Sequence, residues 1–114
     1  MTFRVIDNPK YFPKTGFTNA QFKKLDGLYL VAAAQKAINN RAVDCDFDEG
    51  FAAYTYYRTG VDTPFLQFFM KKVGPRTMMY EVYKEGRGRI AKSGVFEKAF
   101  EKIEEEIENL LSNA

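Results

Sequence analysis

The chain has 114 residues, 46% of them hydrophobic and 28% charged, with a net charge of +2; that length suits one core, and that composition excludes a disordered chain. With no histidine and the single cysteine Cys45, an internal disulfide, a Cys/His zinc site and a histidine general base are excluded. So small a net charge gives no reason by itself to expect nucleic acid or a membrane surface as partner.

Residues 1–17 read as an N-terminal arm with a short strand at Phe3 and Val5, broken by Asn8-Pro9 and Phe12-Pro13 and closed by Gly16. They lack the apolar run of a signal peptide. The longest apolar run, residues 28–34, is far short of the roughly 20 residues of a membrane span. A cytoplasmic protein without a membrane partner is therefore expected, and a lone cysteine suits that reducing compartment. Thr18-Asn-Ala-Gln21 spells a capping box, and Phe17 with Phe22 spells the hydrophobic staple that accompanies it. Phe22, Leu25, Leu28, Tyr29, Ala32 and Ala33 recur at helical spacing, and Leu30, Val31 and Ile38 extend the apolar surface. The expectation is a long helix buried on more than one side and ended by Asn39-Asn40.

The period then switches to two: Val43, Cys45 and Phe47 alternate with Asp44, Asp46 and Asp48, as in a half-buried strand. A three-residue loop, Asp48-Glu49-Gly50, would turn this strand into a hairpin with Phe47 opposite Phe51 and Cys45 opposite Ala53. A second hairpin follows, residues 64–73 and 77–84 around Gly74-Pro75-Arg76. Pairing Val73 with Thr77 places Leu66, Phe68, Met70, Met78, Tyr80 and Val82 on its core face. Glu85-Gly86-Arg87 leads into a short last strand, with Ile90 on the core side. Ser93 caps a closing helix whose Phe96, Phe100, Ile103, Ile107 and Leu110 form an amphipathic stripe. The expected architecture is a single α+β domain over 1–114: a long N-terminal helix, an antiparallel meander of four to five strands and a C-terminal amphipathic helix. A long helix followed by a meander resembles the cystatin-like arrangement, whose plan has no closing helix. Residues 78–111 also resemble the half-unit of single-stranded-DNA-binding coactivator domains. Neither resemblance carries a family-specific motif.

No stretch spells a catalytic constellation. Asp44-x-Asp46-x-Asp48 opens like a calcium loop, but its glycine falls at 50 and Thr55 stands where a bidentate glutamate belongs. Gly86-Arg87-Gly88 lacks the rest of a phosphate loop, and Lys14-Thr15-Gly16 has no Ser-x-x-Lys partner. Cys45 has no imidazole to activate it and is expected in the core. Neither catalytic residues nor a metal or cofactor are assigned.

The expected second face of the sheet is the anomaly. It carries Tyr54, Tyr56, Arg58, Phe65, Gln67, Phe69, Lys71, Met79, Glu81, Tyr83 and Arg89, where a solvated face would be small and polar. Tyr, Phe, Met and Arg are the residues enriched in interface cores. The function expected first is a non-catalytic protein-interaction module that binds a protein partner or a second copy of itself through this face. The next is a single-stranded nucleic-acid binder, with Lys71, Lys72, Arg87 and Arg89 as phosphate contacts amid stacking aromatics. The third is a small-ligand pocket or histidine-free enzyme of cystatin-like architecture.

Overall fold

A computed structural model of the protein describes residues 16–46 and 48–112; the expected arm, its short strand at Phe3 and Val5, and Phe47 lie outside the described residues. The first helix, α1 (Asn19–Ala34), starts where the capping box sets it. Gln21 N–H donates to Thr18 Oγ1 at 3.1 Å, and Thr18 N–H donates to Gln21 Oε1 at 3.0 Å. The two staple aromatics carry α1 onto the sheet, Phe17 against Phe68 and Phe22 against Tyr54, each pair with ring centroids 6.0 Å apart.

Two expectations about α1 need correction. The helix ends at Ala34 rather than at Asn39-Asn40, because Lys36 adopts the left-handed conformation (φ 62°) that terminates the last turn. Ile38, fully buried, then opens the first strand, β1 (Ile38–Asp46). The helix is also buried along one side only: Leu25 and Ala32 are buried, while Leu30 and Val31 are 60% and 51% exposed.

The strands β1, β2 (Phe51–Arg58), β3 (Leu66–Gly74), β4 (Thr77–Lys84) and β5 (Gly88–Ser93) follow one another as an antiparallel meander in chain order. The closing helix is α2 (Phe96–Ser112), preceded by Ser93, whose Oγ accepts from Val95 N–H at 3.0 Å. The fold is α+β, as the sequence predicts. No helix among the described residues is long and apolar enough to cross a membrane.

The second hairpin has the expected register, with Phe68 opposite Val82 and Met70 opposite Tyr80, and an irregularity beside the turn brings Gly74 opposite Thr77. Leu66, Phe68, Met70, Tyr80 and Val82 are buried, and Met78 packs against them. At β5 a second irregularity sets Ala91 opposite Val82, and both Ile90 and Ala91 pack on the core.

The first hairpin is shifted by one residue from its expected pairing. Asp46, Cys45 and Val43 lie opposite Phe51, Ala52 and Tyr54. The cause is turn chemistry. Asp46 Oδ1 accepts from the backbone N–H of Asp48 at 3.1 Å and of Glu49 at 3.2 Å, an Asx turn that starts from the last residue of β1 and sets Asp46 opposite Phe51. Gly50 still supplies the left-handed position, with φ 64°.

Because a shift of one residue exchanges the faces of a strand, Tyr54 and Tyr56 turn inward. Both are fully buried, in a core with Phe17, Phe68, Phe96, Ile103 and Ile107. Each such side chain removed from water contributes roughly 1.5–3 kcal/mol. Their hydroxyls find partners on α1: Tyr54 donates to Asp26 Oδ1 at 2.5 Å and Tyr56 to the Leu25 carbonyl at 2.7 Å. Asp26 also accepts from Arg41, which lies 4.8 Å over the Tyr29 ring. At the other side of the core, buried Glu106 of α2 meets Lys84 Nζ at 2.7 Å.

Candidate interaction surface

With α1 and α2 both packed on the core side, neither helix covers the other face of the sheet. Register arranges that face in rows. One row runs Asp44, Ala53, Phe69, Glu81, Lys92 from β1 to β5; the next runs Ala42, Thr55, Gln67, Tyr83, Arg89; a third runs Asp46, Phe51, Lys71, Met79. Diagonal neighbours form a continuous aromatic series. Phe51 and Phe69 have ring centroids 5.4 Å apart, and Phe69 meets Tyr83 edge-on at 5.2 Å, the separations at which aromatic pairs attract. Phe51, Tyr57, Phe69, Met79 and Tyr83 are each half-buried, while the small Ala53 and Thr55 between them are buried.

Among the aromatics sits the buried carboxylate of Glu81. Glu81 Oε1 accepts from Tyr83 Oη at 2.8 Å and from Lys71 Nζ at 3.2 Å, and Arg89 approaches Oε2 at 3.7 Å. Burial alone would raise its carboxyl. The Tyr83 hydroxyl, the Lys71 ammonium and Arg89 outweigh that and hold it below the ordinary range. The Lys71 ammonium also lies 5.7 Å over the Phe69 ring. At the β1 margin the balance is reversed: burial raises the Asp44 carboxyl, and its Oδ1 is buried without a hydrogen-bond partner among the described residues.

Phe69, Lys71, Met79, Tyr83 and Arg89, all expected on this face, are brought together there. Tyr54 and Tyr56 are not; they belong to the core, for the register reason above. Phe65 and Arg58 sit at the end of the sheet instead, Phe65 buried with the guanidinium 5.2 Å over its ring and Arg58 Nη2 paired with Glu85 at 3.0 Å. The four expected phosphate contacts do not form one patch. Lys71 and Arg89 point to Glu81, whereas Lys72 lies near the β3–β4 turn and Arg87 in the β4–β5 turn at the opposite end.

Sequence reasoning missed Phe51, Ala53, Thr55 and Tyr57 as members of the face. The signal that would have found them is Asp46, an Asx-turn former two residues before Asp48.

The chemistry available to this surface is recognition of apolar and aromatic groups. Burial and the neighbouring Asp26 hold Tyr54 well above its ordinary value of 10.0, and burial does the same for Tyr56, so both phenols remain hydrogen-bond donors. Asp46, the central residue of the calcium-like spacing, is engaged with its own turn. A shallow hollow of about 310 Å³ opens beside the face, lined among others by Phe65, Gln67, Tyr83 and Glu85. No family model matches the chain, and no curated protein or solved structure matches it either.

Proposed function

We propose that the protein is a non-catalytic protein-interaction module that associates with a second copy of itself through the face of its sheet that α1 and α2 leave uncovered. The observation that carries this reading is the continuous Phe51–Phe69–Tyr83 series, half-buried on a face that neither helix covers. A contiguous aromatic surface of this kind is what soluble domains use for association. The charges on it favour protein over nucleic acid. A single-stranded binder needs free cations beside its stacking rings, and here Lys71 and Arg89 both face Glu81. The cytoplasm, a reducing compartment, suits the buried Cys45.

Sedimentation of the protein across a dilution series tests the proposal. The wild type is expected to associate, and Phe69→Ser to shift it to monomer with its urea unfolding midpoint, read on the monomer, little changed. A wild type that stays monomeric overturns the reading. Salt-dependent binding of a mixed-sequence single strand by that monomer would transfer the face to nucleic acid.

A further inference from the structure

We infer that the second copy docks about a two-fold axis parallel to the strands and passing over β3, so that β1 of each subunit faces β5 of the other and Asp44 lies opposite the partner's Lys92. This rests on the self-association proposed above and specifies its geometry. Face-to-face sheets related by a two-fold have two simple choices. An axis along the strands exchanges β1 with β5 and β2 with β4 and sets β3 on itself. An axis across the strands sets every strand on its own copy.

Charge separates the two choices. To this face β1 contributes Asp44 and Asp46 and no cation, while β5 contributes Arg89 and Lys92 and no carboxylate. Strand on like strand would oppose carboxylate to carboxylate and cation to cation. Exchange opposes Asp44 to the partner's Lys92 at both symmetry-related contacts, and it brings an ammonium to a carboxylate whose Oδ1 lacks a hydrogen-bond partner among the described residues. Shape gives the same answer. The small Ala53 and Thr55 of β2 share rows with Glu81 and Tyr83 of β4, so exchange seats large side chains over small ones, and like on like leaves Ala53 over Ala53. On the axis itself Phe69 meets the partner's Phe69.

Five strands at about 4.8 Å and three rows at about 7 Å frame roughly 500 Å² per subunit. The pair then buries roughly 1,000 Å², the lower limit of a specific interface, so a weak, concentration-dependent dimer is expected.

Sedimentation equilibrium on Asp44→Lys, on Lys92→Asp and on their equimolar mixture tests the arrangement. Each variant alone opposes like charges at both symmetry-related contacts and is expected to dissociate at least tenfold more readily than the wild type. In the mixture both contacts are again complementary, and association is expected to return to within a few-fold of the wild type. Should either charge reversal unfold the chain, Asp44→Asn, Lys92→Gln and their double variant read the same pair, with non-additive weakening expected. Single reversals that leave association unchanged while Phe69→Ser still weakens it overturn the strand-exchanged arrangement and leave self-association standing. A wild type monomeric throughout overturns both.

Discussion

Removing one oxygen atom, in Tyr54→Phe, tests the first hairpin's register. Tyr54 is fully buried, and its hydroxyl donates to Asp26 Oδ1 at 2.5 Å. A hydrogen bond to a charged group in such a place is worth about 1.5–3 kcal/mol. The Asp26 side chain keeps Arg41 as a partner and 19% of its own exposure, so water and the guanidinium recover part of the loss, and the lower half of that range, about 1.5–2 kcal/mol, is expected. For a chain of this size that lowers the melting temperature by about 5–10 °C. Urea unfolding at one fixed protein concentration, which holds the contribution of association constant, is expected to show a lower midpoint with unchanged slope. The cycle completed by Asp26→Asn and the double variant should return a coupling of about 1 kcal/mol or more. A loss below about 0.5 kcal/mol with no coupling, accompanied by weakened association, would place Tyr54 on the outer face and refute the Asx-turn register.

Two further outcomes follow from the buried groups. The folded-state carboxyl of Glu81 is held below its ordinary value of 4.5, so its contribution is complete above about pH 4.5 and is lost as the pH falls through the lower folded value. Glu81→Gln should accordingly flatten the decline of the urea midpoint between pH 6 and pH 3.5, and equal declines in variant and wild type would count against the Lys71–Glu81–Arg89 cluster. Cys45, buried on the core face of β1, should react with a thiol reagent at least about a hundredfold more slowly in the native protein than in urea; native labelling within a few-fold of the unfolded rate would put the thiol at the surface.

Much of this architecture is written in local signals. The capping box at Thr18 and Gln21 sets the start of α1 within a single turn, and its two hydrogen bonds are both present. The second hairpin is legible because its alternation runs unbroken through Leu66, Phe68 and Met70, and a register error there would strand each of them on the outer face. The first hairpin is less determined by its side chains. Phe51, Tyr54 and Tyr56 are large enough for a core on either face of β2, so the choice fell to the Asp46 carboxylate and its two backbone amides. The end of α1 was hidden for a similar reason. Lys36 has no intrinsic preference for positive φ, and buried Ile38, which demands that the chain leave the helix early, reads equally well as one more apolar position of that helix. The Asp46 turn goes with the register that sets Tyr54 and Tyr56 in the core, opposite Val43 and Arg41 of β1 and Phe68 and Leu66 of β3, and leaves Phe51 on the candidate surface.

Among the described residues the meander order β1-β2-β3-β4-β5 places β1 and β5 at the two margins of the sheet, and a strand margin is a template on which further chains can hydrogen-bond. Both margins are spoiled for that use. The outer strand β1 begins with an irregularity between Ile38 and Asn40 and exposes Asn39, Asn40 and Arg41. At the other margin β5 has only six residues, is interrupted opposite Val82 and Tyr83, and exposes Arg89 and Lys92. Bulges, short length and charge are the devices by which sheets resist edge-to-edge growth. Lateral growth through these margins is thereby disfavoured, which suits the proposed face-paired unit of finite size.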